Sequence, residues 1–154
     1  MRKISICFYA CISWIAIQAQ APDKFLLQTY VQDCIYNPDG YIIEKKEAAQ
    51  LGILDFYKIS VNIAPIYGGG VFCSPMYYFS GTYYPMGNYT YDGQRNGWYI
   101  FSCNTYVAGV DHLYVSNDYR TVRIQRGKNK GYYTEYRLPR ESDSPDIINK
   151  NAIK

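Results

Sequence analysis

The sequence has one histidine, His112, and no C-x-x-C pair. Histidine and cysteine clusters hold most structural zinc, so no metal site is expected, and no sequence feature calls for a cofactor. Charge is scarce as well, at 19% of residues. Of 16 basic and 13 acidic side chains, residues 1–21 hold two bases and no acid, which leaves 14 against 13 and a net of +1 for the remainder. A near-neutral surface lacks the phosphate-neutralising charge that nucleic-acid binding needs, so nucleic acid is not an expected partner. No apolar run reaches the ~20 residues of a membrane-spanning helix. Gly68-Gly69-Gly70 lacks the Lys-Ser/Thr ending and following helix of a phosphate loop and reads as a turn.

The ends of the chain read as something other than fold. Met1-Arg2-Lys3 is basic, Ile4 to Ile17 is apolar apart from Ser5 and Ser13, and Ala19-Gln20-Ala21 is an A-x-A pattern. That order is a secretory signal peptide, residues 1–21, with secretion or a periplasmic location as its consequence and no transmembrane segment after cleavage. Residues 140–154, with Arg140-Glu-Ser-Asp-Ser-Pro-Asp146, are polar and aperiodic and read as a flexible tail. Residues 22–139 remain as a single domain, long enough for its own core. Cys34, Cys73 and Cys103 stay with it. In an oxidising compartment one pair can close, and Cys73 with Cys103 is preferred because both sit in strand-like apolar runs; three buried free thiols are the alternative.

What the domain does have is strand chemistry. Short apolar or alternating runs recur with turn residues every 8–12 positions: Phe25–Gln32, Ile53–Ile63, Val71–Phe79, Asn88–Tyr91, Trp98–Cys103, Asp111–Ser116, Tyr119–Arg126 and Tyr132–Leu138. Only Glu44–Leu51 favours helix, with Gly52 placed to end it. The expected fold is all-β, an antiparallel sandwich or small up-and-down barrel of about eight strands with one short helix.

Tyrosine is abundant, 19 residues, and ten aromatic side chains fall within residues 76–101. In Asn88-Tyr89-Thr90-Tyr91 the rings share one face, so that strand has one dry side. In Trp98-Tyr99-Ile100-Phe101 both faces are apolar, which predicts a central strand or one covered on both sides. Tyr77, Tyr83 and Tyr84 lie in or beside a turn, where some rings must face outwards; with Trp98 they are the candidate ligand-binding set, suited to stacking on sugar rings. Gly81-Thr82-Tyr83-Tyr84 resembles the G-x-W-Y signature of lipocalins, secreted eight-stranded carriers of apolar ligands. It departs by Tyr at position 83 and by lying mid-chain rather than on the first strand, and no membership is assigned.

Residues 120–140 are basic, with Arg123, Arg126, Lys128, Lys130 and Arg137 as a candidate anionic-ligand hairpin. His112 stands next to Asp111, but strand neighbours point to opposite faces, so no catalytic pair is expected there. The sequence thus predicts an exported, non-enzymatic recognition or structural domain whose partner is a glycan or a cell-surface molecule. The alternatives are a barrel carrying a small apolar ligand and a thiol-dependent or hydrolytic enzyme built on Cys103 and His112.

Overall fold

The structure, a computed structural model, describes residues 21–22, 25–53, 56–67, 70–103, 109–126 and 128–143. Residues 1–20 of the expected signal peptide and 144–154 of the expected tail lie outside the described residues. Ten strands and one helix follow in chain order: β1 (Leu26–Tyr36), β2 (Ile42–Ile43), α1 (Lys45–Gln50), β3 (Lys58–Ile66), β4 (Gly70–Phe79), β5 (Thr82–Pro85), β6 (Tyr89–Arg95), β7 (Trp98–Ser102), β8 (Val110–Ser116), β9 (Thr121–Arg126) and β10 (Tyr133–Arg137). Eight of them, β1-β3-β4-β6-β7-β8-β9-β10, pair antiparallel with their chain neighbours, and β10 returns to pair with β1. The fold is a closed up-and-down barrel, with β2 and β5 as short side strands on β1 and β4.

Closure rests on β1. Its first half, Leu26–Val31, pairs with β3, and its second half, Val31–Tyr36, pairs with β10. A bulge between Gln32 and Cys34 bends the strand between those two duties. Two more bulges, at Tyr91/Gly93 and Val110/His112, add curvature in β6 and β8. Asp92-Gly93, whose residue types suit a turn as well, is therefore the β6 bulge. Asn96-Gly97 alone makes the β6–β7 turn, with φ of 50° and 82°, values that suit a tight hairpin. Ser80-Gly81, at φ 47° and 90°, makes another such turn, and the short strand Thr82–Pro85 follows it.

Alternation sends one side of each strand inward. Tyr30, Ile59, Val61, Ile63, Cys73, Tyr89, Phe101, Val110, Leu113, Val115, Val122, Ile124 and Tyr136 are all fully buried and fill the barrel. An eight-stranded barrel is just wide enough for its own side chains, and these rings use that width. Two interior hydroxyls find carbonyls: Tyr89 Oη donates to Val110 O at 2.6 Å, and Tyr30 Oη to Tyr119 O at 2.8 Å. Burial pushes both phenols above their ordinary range, so they stay neutral donors. Helix α1 is too short to persist alone and packs Ala48 onto Ile35, Ile43 and Ile53. Leu51 caps it and Gly52 follows at φ 69°. Among the described residues, no helix is long and apolar enough to cross a membrane.

The first described part of the expected tail is fastened. Arg137 makes a two-pronged contact with Asp143, Nη1 to Oδ2 at 2.9 Å and Nη2 to Oδ1 at 2.8 Å, and Arg140 N donates to Asp143 Oδ2. The Arg137 guanidinium, then the Arg140 amide, hold the Asp143 carboxyl down at about 2. A depressed carboxyl pKa gives stability that is present above the ordinary value and lost as pH falls through the depressed one. Residues 140–143 should therefore stay docked at neutral pH and release between about pH 4 and pH 2. The Arg140 amide resonance, which reports its bond to Asp143 Oδ2, followed by NMR through that window, checks this; no change would mean that the contact is not what holds the segment.

Candidate functional site

Outside the barrel, the register lines up side chains in rows across β7 to β10 and onto β1. Ile100 faces Tyr114, which faces Arg123, which faces Glu135, which faces Cys34. In the adjoining row, Ser102 faces His112, then Gln125, Tyr133 and Tyr36. On the other side, Arg95 pairs with Trp98 at the tip of the β6–β7 hairpin. Between these rows lies a groove of about 340 Å³ lined by Arg95, Asn96, Trp98, Ile100, Tyr114, Arg123, Gln125 and Tyr133. That volume is at the small end for ligand sites.

The groove is held together by its own contacts. The Arg123 guanidinium lies between two rings, 4.4 Å from the centroid of Trp98 and 4.7 Å from that of Tyr133. Arg123 Nε donates to Glu135 Oε2 at 2.7 Å, which fixes the plane of the fork. Tyr133 in turn stacks on Tyr36 at 4.8 Å. Tyr114 Oη donates to Gln125 Oε1 at 3.2 Å, leaving the Gln125 amide as a donor. Burial, and then the charge of Asp111, keep the Tyr114 phenol above its ordinary range and so protonated. In sequence, the apolar outer face of Trp98 and Ile100 reads as that of a central strand or of one covered on both sides. In a closed barrel that face meets no second layer, and it forms the groove wall instead.

The other expected ligand residues lie elsewhere. Tyr77 is the middle of a stack, 4.4 Å from Phe56 and 5.5 Å from Tyr84. Tyr83 packs edge-on against Tyr78 at 5.1 Å, and the buried Lys58 ammonium sits 4.4 Å from the Tyr78 ring and 5.6 Å from that of Tyr83. These rings belong to β4 and β5, where Tyr84 is exposed and Tyr83 half-buried; Trp98 alone of the four lies in the groove. The basic hairpin is also divided. Arg123 joins the groove, whereas Arg126 points into the barrel, 5% exposed, and donates to Thr134 Oγ1 at 3.2 Å. Arg137 is taken up by Asp33 and Asp143. Lys128 and Lys130 stay exposed in the β9–β10 turn. Strand alternation separates Arg123 from Arg126, because one residue stands between them on each face.

Asp111 and His112 approach after all, Nδ1 to Oδ2 at 3.2 Å, because the β8 bulge breaks the alternation. Cys103 does not join them. It lies in the interior core, while His112 is on the outer row opposite Ser102. The expected Cys73–Cys103 bridge is not formed either; Cys34, Cys73 and Cys103 are free thiols. Cys73 faces Tyr89, and Thr90 next to it faces Ser102, so β6 with the Tyr89 ring separates the two cysteines. Two strand spacings are roughly 9–10 Å, beyond the ~7 Å span that a disulfide bridges. Burial pushes the Cys73 thiol up, and burial also raises that of Cys34. Iodoacetamide should therefore label half-buried Cys34 slowly and leave Cys73 unlabelled until denaturant is added. Peptide mass mapping reads both, and a native Cys73–Cys103 crosslink would contradict the register.

Asp33, Cys34 and Glu135 present ligand atoms within 4.8 Å of one another, the one such group among the described residues. Their carboxylates are engaged by Arg137 and Arg123, which leaves little charge for a cation. No protein-family model, curated protein or solved structure matches the chain.

Proposed function

We propose that this is an exported recognition domain that binds saccharides, without catalysis, in the groove between Trp98 and Tyr133. The observation that carries the reading is the composition of that groove. Three rings and Ile100 offer flat apolar surface, while Asn96, Gln125, Arg95 and Arg123 offer hydrogen-bond donors at its sides. Sugar rings present the same mixture, with C–H faces and hydroxyl edges. The side chains stand on paired strands rather than on loops, apart from Asn96, so little ordering is needed on binding. The rings that fill the barrel favour this outer surface over an internal pocket for an apolar ligand. The test is a glycan array probed with the signal-free protein and with Trp98→Ala as control. Selective retention by the parent and loss in the variant support the reading; equal retention by both would move the site elsewhere.

A further inference from the structure

We propose, resting on that saccharide reading, that the groove selects sugars carrying a carboxylate, of the uronic-acid type. Two of the eight lining side chains are arginines and none is acidic. Glu135 balances Arg123 from outside the lining through Nε alone. The two Nη groups of Arg123 have no partner among the described residues. They form the edge of a fork placed over the rings of both Trp98 and Tyr133, and such a planar fork can receive a carboxylate through two parallel hydrogen bonds. Arg95, exposed and across the strand pair from Trp98, adds a second positive charge with no acidic partner among the described residues. A small inorganic anion would use the guanidinium groups but not the wall of Trp98, Ile100 and Tyr114. A neutral sugar would use the wall and accept hydrogen bonds from the arginines but leave their two charges unmatched. A sugar acid uses both, with its ring on the apolar wall and its carboxylate on the Arg123 fork.

The experiment titrates the signal-free protein with tri-galacturonate and a hyaluronan tetrasaccharide, each beside its carboxyl-reduced form, and follows tryptophan fluorescence and heat. At least one acidic form should bind about 10-fold tighter than its reduced counterpart, and added salt should narrow the gap. Arg95→Gln should cut the preference several-fold, lowering the acidic sugar's affinity by more than it lowers the reduced sugar's. Arg123→Lys, which keeps the charge but loses the fork, should do the same, with circular dichroism confirming that the barrel persists. Equal binding of acidic and reduced sugars, lost together in Trp98→Ala, would overturn the acid preference and keep the saccharide reading. Acid binding that ignores both arginine variants would overturn the preference too. Binding of neither form would overturn both proposals.

Discussion

Trp98→Ala should weaken the proposed saccharide binding at least ~30-fold, about 2 kcal/mol, and should leave the barrel folded. The size follows from what the ring does: it is the largest apolar surface in the groove and one of the two faces that clamp Arg123. Aromatic anchors at the centre of a binding patch commonly cost about 2 kcal/mol or more on truncation. The fold survives because Trp98 is half-buried on the outer face, whereas the core side of the same hairpin is supplied by Tyr91, Tyr99 and Phe101. Isothermal titration beside a urea unfolding curve separates the two quantities. A lost midpoint with unchanged affinity would assign Trp98 to the scaffold and remove the groove as the site. Trp98→Phe keeps a smaller ring and should recover part of the affinity.

Phe101→Ala should have the opposite profile, a loss of about 3–5 kcal/mol of stability, the usual cost of emptying a buried aromatic position. Phe101 is fully buried in the barrel, two residues along β7 from Tyr99 and 5.7 Å from Tyr91. The strands around it are hydrogen-bonded into a closed ring and cannot collapse into the void as a loose helix could. Domains of this size hold about 5–15 kcal/mol in all, so the variant should sit close to unfolding at ambient temperature. Urea denaturation followed by circular dichroism gives the number. A loss below about 1 kcal/mol would mean that the interior is less tightly packed than its burial indicates. Phe101→Leu, which refills most of the volume, should recover a large share.

Much of this architecture is legible in the chain, because strand alternation and turn chemistry are local. Glu44–Leu51 reads as helix from its side chains and Gly52, and it is helix from Lys45 to Gln50. Asn96-Gly97 reads as a hairpin and is one. The Asp92-Gly93 bulge escapes the same reading, because a D-G pair serves a turn and a bulge equally well and only the partner strand's register distinguishes them. Closure escapes it as well: whether the last strand finds the first depends on β1 bending at its bulge to pair on both sides.

The site divides along the same line. The sequence by itself determined an all-β domain rich in tyrosine, with Trp98 on the opposite face of its strand from Phe101 and Arg123 on the opposite face of its strand from Arg126. Periods of two residues determine such things. Only the tertiary structure decided that Trp98, Arg123 and Tyr133 meet, that Tyr77, Tyr83 and Tyr84 stack on another wall, and that β6 keeps Cys73 and Cys103 apart. Trp98 and Tyr133 are 35 positions apart, and all of these contacts depend on inter-strand register, which is set by the turns, the bulges and the burial of the whole inner face together.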